Sequence, residues 1–371
     1  MREDWEYKTF GEIGSFLRGK NIQKADFVSG GLPCIHYGQI HTKFDISIDY
    51  HLSEIPQEVY DKAIIASPGD VIIAITSEDI DGSCKSVVWL GNYDIAVSAH
   101  AAILKHNMNG KFIAYYLRSN TFFTQKLKYA RGFKVMEIKT KDLAKLVLPI
   151  PPKPTQLSIV SELDKLNELI RIKKEQLKDY DALAQSIFYE MFGDPVVNEK
   201  GWEVKTFGEC FSIGAGGTPS TKVKEYWDNG TIPWIGSNMC QNCIITETDG
   251  KFITEEGLTH SSTKLLAPGT VLVALVGATI GKVGLLRIET CTNQNVAFIK
   301  VQETETFTSE FVYYHLMGLY GEFMKIGQGN FKMANQGFIK LLPISLPPLP
   351  LQHSFAQKIE QIEQQKAAIQ K

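Results

Sequence analysis

The chain has 371 residues, of which 44% are hydrophobic and 22% are charged, and this composition predicts two or three globular domains and excludes wholesale disorder. The net charge of −2 gives no overall attraction to nucleic acid, so any such site must come from a local cluster of charge. The N-terminus lacks an apolar signal segment, and the most apolar window, residues 265–280, is interrupted by Pro and Gly. We therefore expect no membrane span and, with six cysteines and no signal segment, a cytoplasmic protein.

The first 150 residues contain short runs rich in Val, Ile, Phe and Tyr, bounded by Gly, Pro and Asn, which predict strands joined by tight turns. The clearest pair of strands is Val71–Thr76 with Val87–Leu90. A helix is predicted over about 111–129, and a Pro-rich hinge at 149–154 then ends the globular part.

A long helix follows the hinge, from about Thr155 to Phe192, because this stretch has apolar residues at a 3–4 spacing and no internal Gly or Pro. Gly193 and Pro195 predict its end. At ~1.5 Å per residue such a helix is about 55 Å long. The apolar seam consists of Ile159, Leu163, Leu166, Ile170, Leu177, Tyr180, Ala184, Ile187 and Met191.

The second half of the chain repeats the first, in the same order and at an offset of about 200 residues. Trp5–Glu12 recurs as Trp202–Glu209, Pro68–Ala74 as Pro268–Ala274, Phe112–Leu117 as Phe311–Leu316, and Pro151–Gln156 as Pro347–Gln352. The repeat predicts a second strand pair, Val271–Val276 with Val283–Leu286, a helix over about 309–325, and a second seam of Phe355, Ile359, Ile362 and Ile369. The chain is thus two copies of one unit.

These elements predict an α+β protein in which two similar, mainly β domains are separated by two long helices paired as an antiparallel coiled coil, with pseudo-twofold symmetry. The boundaries are residues 1–154 for the first domain, 155–196 for the first helix, 197–350 for the second domain and 351–371 for the second helix. Because the second seam is about three turns shorter, either the sequence is trimmed or the unpaired stripe docks another protein.

The sequence contains no catalytic constellation and no phosphate-binding loop. Gly214–Pro219 is Gly-rich but lacks the Lys-Ser/Thr ending, which favours a turn. Cys240 and Cys243 have the spacing of half a zinc site, but a second pair is missing and two ordinary cysteines are favoured. We therefore predict neither catalytic residues nor a metal.

One segment is clearly basic: Lys105 to Lys145 carries ten Lys and Arg residues against two acidic ones, whereas Lys300 to Lys340 carries four of each. Its cations Lys126, Lys128, Arg131 and Lys134 are candidates for phosphate contacts. Two similar domains held apart by a rigid spacer have the geometry for two half-sites on a duplex.

The sequence resembles the specificity (S) subunit of type I restriction-modification systems over essentially its whole length. The resemblance rests on the paired Trp-Glu-x-Lys-Thr-Phe-Gly-Glu openings, the Pro-Pro-x-Pro-x-Gln hinges, the helix end at 187–195, and, in the second unit, Gly217–Pro219, Ile232–Ile235, Gly277–Lys282 and Asn293–Asn295. The first unit departs from the pattern, with Arg18-Gly19-Lys20, Leu32–Ile35 and Glu78–Lys85 at the matching places.

The resemblance implies a non-catalytic module whose two target-recognition domains each read one half of a bipartite site in double-stranded DNA. The helices would set the gap and dock two methyltransferase (M) subunits, and the restriction (R) subunits would join through the complex. S-adenosylmethionine would bind the methyltransferase partner and not this chain.

The matched loops give further candidate DNA-binding residues. In the first unit these are Arg18, Lys20, His36, Tyr37, Gln39, Lys85 and His100, and in the second Trp234, Ser237, Asn238, Thr279, Lys282, Asn295, Asn330 and Lys332. Two rival hypotheses stay open: a coiled-coil scaffold whose repeated domains bind protein, and a metal-dependent enzyme built around Cys240 and Cys243.

Overall fold

The structure of the chain is a computed structural model that describes residues 5–132, 135–326 and 333–370. The chain divides into two compact units, one ending at Arg171 and the other starting at Ile172. Within the described ranges, no helix combines the length and the apolar character needed to cross a membrane.

The first unit consists of short strands and short helices, followed by the start of one long helix. Its strands are β1 (Glu6–Thr9), β2 (Gly14–Arg18), β3 (Leu32–Ile35), β4 (Ser47–Ile48), β5 (Ser53–Ile55), β6 (Ile64–Ala66), β7 (Val71–Ala74), β8 (Thr76–Ser77), β9 (Ser86–Trp89), β10 (Ile95–Val97), β11 (Ala101–His106), β12 (Met136–Glu137) and β13 (Val147–Ile150). Its helices are α1 (Phe10–Ile13), α2 (Tyr37–Thr42), α3 (Gln57–Tyr60), α4 (Gly110–Tyr116), α5 (Asn120–Lys126), α6 (Thr140–Leu143) and α7 (Lys153–Phe192), which continues into the second unit.

The core of the first unit lies on both sides of a five-stranded sheet with the order β2-β11-β7-β9-β4. In β7, Val71 and Ile73 pack in a cluster that includes Phe122 of α5, whereas Ile72 and Ala74 pack in a second cluster on the opposite face. Burial on both faces explains why this strand is apolar throughout instead of alternating. A four-stranded sheet, β5-β3-β10-β6, and the pairs β1–β13 and β8–β12 complete the unit.

The second unit has the same kinds of element. Its strands are β14 (Val204–Thr206), β15 (Ile213–Ala215), β16 (Ile232–Ile235), β17 (Cys243–Ile245), β18 (Phe252–Ile253), β19 (Val271–Ala274), β20 (Val283–Leu286), β21 (Cys291–Thr292), β22 (Val296–Ile299) and β23 (Pro343–Ser345). Its helices are α8 (Phe207–Cys210), α9 (Glu255–Thr259), α10 (Ser309–Gly318), α11 (Tyr320–Met324), α12 (Gln336–Leu341) and α13 (Leu349–Gln370).

The main sheets of the two units share one topology, which confirms the internal repeat. The order β15-β22-β19-β20-β17 matches β2-β11-β7-β9-β4, with the same parallel and antiparallel neighbours. The order β18-β16-β21 matches β5-β3-β10, and β14–β23 matches β1–β13. Both predicted strand pairs are present as the antiparallel pairs β7–β9 and β19–β20.

The single helix predicted over 111–129 is wrong, because α4 ends at Tyr116 and α5 begins at Asn120. Between them, Ser119 is the N-cap of α5, and its side chain accepts a hydrogen bond from the backbone N–H of Phe122 at 3.2 Å. A serine that caps the second helix in an extended conformation interrupts the first one.

The two long helices are confirmed, and each is anchored to its Pro-rich hinge by a buried glutamine at the matching position of the repeat. Gln156 Nε2 donates to the carbonyl of Pro151 at 2.8 Å, and Gln352 Nε2 donates to the carbonyl of Pro347 at 2.9 Å. Helix α7 ends where predicted, and Gly193 follows with φ of 83°, a conformation that glycine adopts without steric cost.

Within the second unit, residues 172–192 of α7 pack against α13, and the two helices run in opposite directions. This confirms the antiparallel pairing. Lys173 Nζ donates to the carbonyl of Ile369 at 2.9 Å near one end of α13, and the rings of Phe188 and Phe355 lie 5.6 Å apart near its other end.

The predicted seam is buried only in part. Phe355, Ile359, Ile362 and Ala184 are buried, whereas Leu177, Tyr180, Ile187 and Met191 are half-buried. Ile159 and Leu163 are half-buried, and Leu166 and Ile170 are 55% and 51% exposed. Two residues outside the predicted seam, Phe188 and Phe192, are among the most buried of α7.

Candidate nucleic-acid interface

A cleft of about 640 Å³ opens in the first unit where several strands end. Its walls come from α2, which follows β3, from β8 and the segment that joins it to β9, and from the turn before β11. Among its lining residues are Tyr37, His41, Thr76, Ser77, Glu78, Asp79, Lys85 and His100. Tyr37, Lys85 and His100, three of the residues predicted to bind DNA, are thus brought together.

Tyr37 lies among three imidazole rings at one side of this cleft. Its ring centroid is 4.6 Å from that of His36, 5.0 Å from that of His100 and 6.3 Å from that of His41. His36 is 8% exposed and caps α2, since its Nδ1 accepts a hydrogen bond from the N–H of Gly38 at 3.2 Å. Burial, helped by the charges of Lys24 and His100, lowers the pKa of His36, and the neutral ring keeps the lone pair that the cap needs.

Lys85 is a half-buried cation whose position is fixed by the protein. Its Nζ donates to the carbonyl of His41 at 2.7 Å. Burial and the nearby charge of Arg118 lower the pKa of Lys85, and Asp45 opposes this shift. An ammonium has three donors, so this contact orients the group and leaves donors for a ligand in the cleft.

The second unit builds the same face from backbone contacts that match those of the first. The N–H of Ala74 donates to the carbonyl of Lys85 at 2.8 Å, and the N–H of Ala274 donates to that of Lys282 at 2.9 Å. The Nζ of Lys282 donates to Oε1 of Gln241 at 2.8 Å. Each unit therefore holds a lysine at the equivalent position.

Other positions of the two faces are equivalent in backbone but differ in side chain. Ile75 donates its N–H to the carbonyl of His100, and Leu275 donates to that of Asn295, both at 2.9 Å. Histidine and asparagine therefore occupy matching positions, and by the alignment of β3 with β16 Tyr37 matches Ser237.

The segment that joins the equivalent residues differs in length between the units. Residues 76–84 lie between Ile75 and Lys85, but residues 276–281 lie between Leu275 and Lys282, so the first unit has three more residues. In the second unit the turn Gly277–Thr279 occupies this place, and Thr279 Oγ1 donates to the carbonyl of Val276 at 3.3 Å.

Three predicted DNA contacts are corrected, because the structure commits their polar groups to the protein. Lys126 is 3% exposed, and its Nζ donates to the carbonyl of Ser83 at 2.7 Å. Trp234 is 8% exposed, and its Nε1 donates to the carbonyl of Gly217 at 3.0 Å. Gln39 Oε1 accepts from the N–H of His36 at 2.9 Å, and its Nε2 donates to Ser53 Oγ at 2.7 Å. We do not assign these three to the interface.

Of the remaining candidates, His36 is buried, and the others lie at or near the surface where the structure describes them. Arg18 forms an ion pair with Glu137 at 3.1 Å. Exposed residues are Arg18, Lys20, Lys128, Arg131 and Asn238, and half-buried ones are Ser237, Thr279, Lys282 and Asn295. Lys134, Asn330 and Lys332 lie outside the described residues.

The sequence reasoning missed residues that shape this face. His41 supplies the acceptor for Lys85 and Gln241 the acceptor for Lys282, and Asp79 lines the cleft. Both acceptors stand six residues after the last residue of a matched strand, β3 or β16, so an alignment of the two halves at those strands would have paired them.

The Cys240–Cys243 pair has no features of a metal centre. Cys240 is buried, and its burial raises the pKa of the thiol, which disfavours the thiolate that a metal requires. Cys243 Sγ donates to the carbonyl of Met239 at 3.4 Å. Across the residues that the structure describes, no three His, Cys, Asp or Glu side chains form a group able to hold a metal ion.

The duplicated α+β units and their long helices define a class of protein that is known from DNA restriction systems. The family model described as "Type I restriction modification DNA specificity domain" matches residues 2–179 and 199–371. The chain belongs to this family. This match confirms the family that the sequence motifs predict.

Individual relatives agree with the family. The chain is 28% identical over 219 residues to the Escherichia coli type I restriction enzyme EcoR124I/EcoR124II specificity subunit, covering 57% of this chain and 52% of that protein. The match thus spans about half of that relative's length. The chain is also 23% identical over 391 residues to the putative MjaX specificity subunit of Methanocaldococcus jannaschii, covering 97% and 87%.

A solved structure has the same fold. The type I restriction-modification system S subunit from M. genitalium aligns with 100% of this chain and 94% of its own, with a TM-score of 0.53 and 14% sequence identity.

Proposed function

We propose that this chain is the DNA-sequence-specificity subunit of a type I restriction-modification complex. The first target-recognition domain, residues 1–154, reads one half of a bipartite site in double-stranded DNA, and the second, residues 197–350, reads the other half. The helical segments 155–196 and 351–371 set the spacing and dock two M subunits. R subunits join through the complex, and S-adenosylmethionine is bound by the M partner.

This proposal rests on the observation that the two units form the same backbone hydrogen bonds at their faces but carry different side chains there. His100 and Asn295 stand at matching positions, as do Tyr37 and Ser237, while each face keeps one oriented lysine. A shared frame suits two domains that approach the duplex in the same way. Different side chains suit two different half-sites, since base edges are distinguished by the pattern of donors and acceptors that meets them.

Phosphate contacts fit the exposed cations of the first unit. Lys20, Lys128 and Arg131 are exposed, and Arg131 forms a backbone bridge to Glu137 of β12, which pairs with β8 beside the cleft. Contacts of this kind position a protein on DNA without reading sequence and weaken as salt rises.

Docking of a partner fits a stripe of exposed apolar side chains on the part of α7 that belongs to the first unit. Leu166 and Ile170 are 55% and 51% exposed although they continue the seam that α13 covers farther along. Large apolar side chains in a row on a helix are typical of a protein interaction surface. We assign this stripe to an M subunit.

The proposal is tested by exchanging side chains between the two faces. The chain is expressed with the M subunits of its own system in a host that lacks other DNA methylation, and methylated positions are mapped across the genome. His100→Asn and Asn295→His are the key variants, because each installs the residue of the matching position. Asparagine also tolerates the φ of 67° at residue 100.

We expect His100→Asn to change the bases required in one half of the methylated site and Asn295→His to change those in the other half. A lost base contact is worth about 1–3 kcal/mol, or roughly 5- to 150-fold in discrimination. Glu58→Gln on α3, an exposed position that does not line the cleft, is the matched control and keeps both halves. Methylation that does not depend on this chain, or a change of both halves by each variant, contradicts the proposal.

A further inference from the structure

The segment that makes the first unit's face different from the second's is the acidic loop, Ser77–Cys84. It contributes Ser77, Glu78, Asp79 and Gly82 to the wall of the cleft. It also contains the three residues by which this connection exceeds that of the second unit. The contacts that fix the conformation of this loop therefore also determine the shape of part of the cleft.

The acidic loop holds its shape partly through its own hydrogen bonds. Asp79 Oδ1 accepts from the N–H of Gly82 at 2.6 Å, and Ser83 Oγ donates to the carbonyl of Ile80 at 2.7 Å. Cys84 has a φ of 66°, which non-glycine residues seldom adopt. A short turn with a positive φ needs support from its surroundings.

That support comes from the ammonium of Lys126 at the end of α5. Its Nζ donates to the carbonyl of Ser83 at 2.7 Å and to that of Asp81 at 3.2 Å, and it lies 4.9 Å from the ring centroid of Phe123. The residue is 3% exposed. Burial lowers the pKa of Lys126, and the groups facing it, Cys84, Asp81 and Asp79, act in the opposite direction.

Among the residues that the structure describes, the second unit supports the matching connection by packing. Gly281 has a φ of 74° where the first unit has Cys84, and both residues donate their N–H to the matching alanines of β19 and β7. A Cβ placed on Gly281 would lie 2.7 Å from Cβ of Phe323 in α11. In this unit a helix therefore packs directly on the short turn, whereas in the first unit an ammonium joins helix and loop.

We propose that Lys126 is a positioning residue that holds the acidic loop in the conformation that reads bases, although its ammonium does not reach the DNA. This inference rests on the proposed function. It assigns one cation of the basic segment to the specificity of the first half-site and not to phosphate binding. The sequence pattern alone had placed Lys126 with the phosphate contacts.

The test compares two lysines that are two residues apart on the same segment. Lys126→Met removes the buried ammonium, and Lys128→Met removes an exposed one. Both variants are made in the full chain with its M subunits, and the methylated sequences are mapped together with binding to an oligonucleotide duplex at several salt concentrations.

We expect Lys126→Met to relax the base requirement by about tenfold at positions in one half of the site, with the other half unchanged. Lys128→Met keeps both halves of the site and lowers the slope of affinity against salt. Lys126→Arg, which keeps a cation at the loop, restores part of the discrimination. A purely structural role would instead lower methylation at all sites without altering the sequence.

Ser83→Ala is the second variant, because it removes one loop hydrogen bond with a small change in volume. It is expected to relax the same half of the site as Lys126→Met. The inference is overturned if both variants keep the wild-type site, or if Lys126→Met affects both halves equally while Ser83→Ala affects neither. Failure of the proposed function is distinguishable, because the wild-type chain itself would then not determine the methylated sequence.

Discussion

The antiparallel contact between α7 and α13 makes a strong prediction for Phe355. This side chain is 0% exposed, and its ring lies 5.6 Å from that of Phe188, 5.3 Å from that of Phe192 and 5.3 Å from that of Tyr314, measured between centroids. Phe355→Ala removes a ring enclosed by three others. We expect the second unit to lose about 3–5 kcal/mol of stability, the range for Phe truncation in a packed core.

Such a loss is readily measured. For a unit of about 200 residues each kcal/mol shifts Tm by roughly 2–4 °C, so the second unit should melt about 6–20 °C below its wild-type value. Scanning calorimetry of the full chain gives the shift, and hydrogen exchange should show faster exchange in 180–192 and 349–362. Phe252→Ala, at a 36% exposed position in β18, is the control and should shift Tm by much less. A Phe355→Ala shift no larger than that of Phe252→Ala would refute the proposed packing.

Two further predictions concern buried polar groups of the second unit. Burial lowers the pKa of His315 to about 4, so the folded unit binds fewer protons than the unfolded one, and we expect stability to fall by up to about 3 kcal/mol as pH drops from 6.5 to 4. His315→Gln should flatten this dependence in pH-dependent melting, whereas a similar effect of His353→Gln, at an exposed position, would contradict the assignment. Gln352→Leu should lower the free energy of unfolding in urea more than Gln156→Leu does. The reason is that the Gln352 amide also donates to the carbonyl of Thr306 and accepts from the N–H of Thr308, and each buried group left without a partner costs about 1–3 kcal/mol. Equal costs would show that these extra bonds contribute little.

The repeat and the long helices could be predicted from sequence because both depend on patterns of neighbouring residues. Matching peptides about 200 residues apart predict matching folds, and an apolar 3–4 spacing that continues from Thr155 to Phe192 without Gly or Pro predicts a long helix. The end of α7 could be placed because Gly193 supplies the positive φ that terminates a helix.

The interior positions of Lys126 and Trp234 could not be predicted in the same way. Counting charges along a segment records that Lys126 is basic but not that α5 turns its side chain toward the carbonyl of Ser83. For Trp234 the apolar neighbours Ile232 and Ile235 favour a buried position, but only the parallel pairing of β16 with β21 shows that its ring lies in a buried cluster beside Trp227. Burial of this kind depends on contacts between residues far apart in sequence.

The break between α4 and α5 could be predicted from the sequence only in part. Ser119 has a local signal, since serine is favoured at the first position before a helix. The apolar residues on both sides nevertheless continue a helical spacing, and only the observed hydrogen bond from Phe122 to Ser119 shows which tendency prevails.

The contacts that place Lys85, His100, Lys282 and Asn295 on their faces are bonds between main-chain atoms. In each bond the residue accepts through its carbonyl oxygen, which every residue type has, although the φ of 67° at His100 favours residues that tolerate the left-handed region. Natural variation can therefore replace the outward-facing side chains, or lengthen one connection by a few residues, while the underlying sheets remain intact. Under the proposed function, a lineage that inherits this scaffold can acquire a new target by point substitution, and each half can diverge independently of the other.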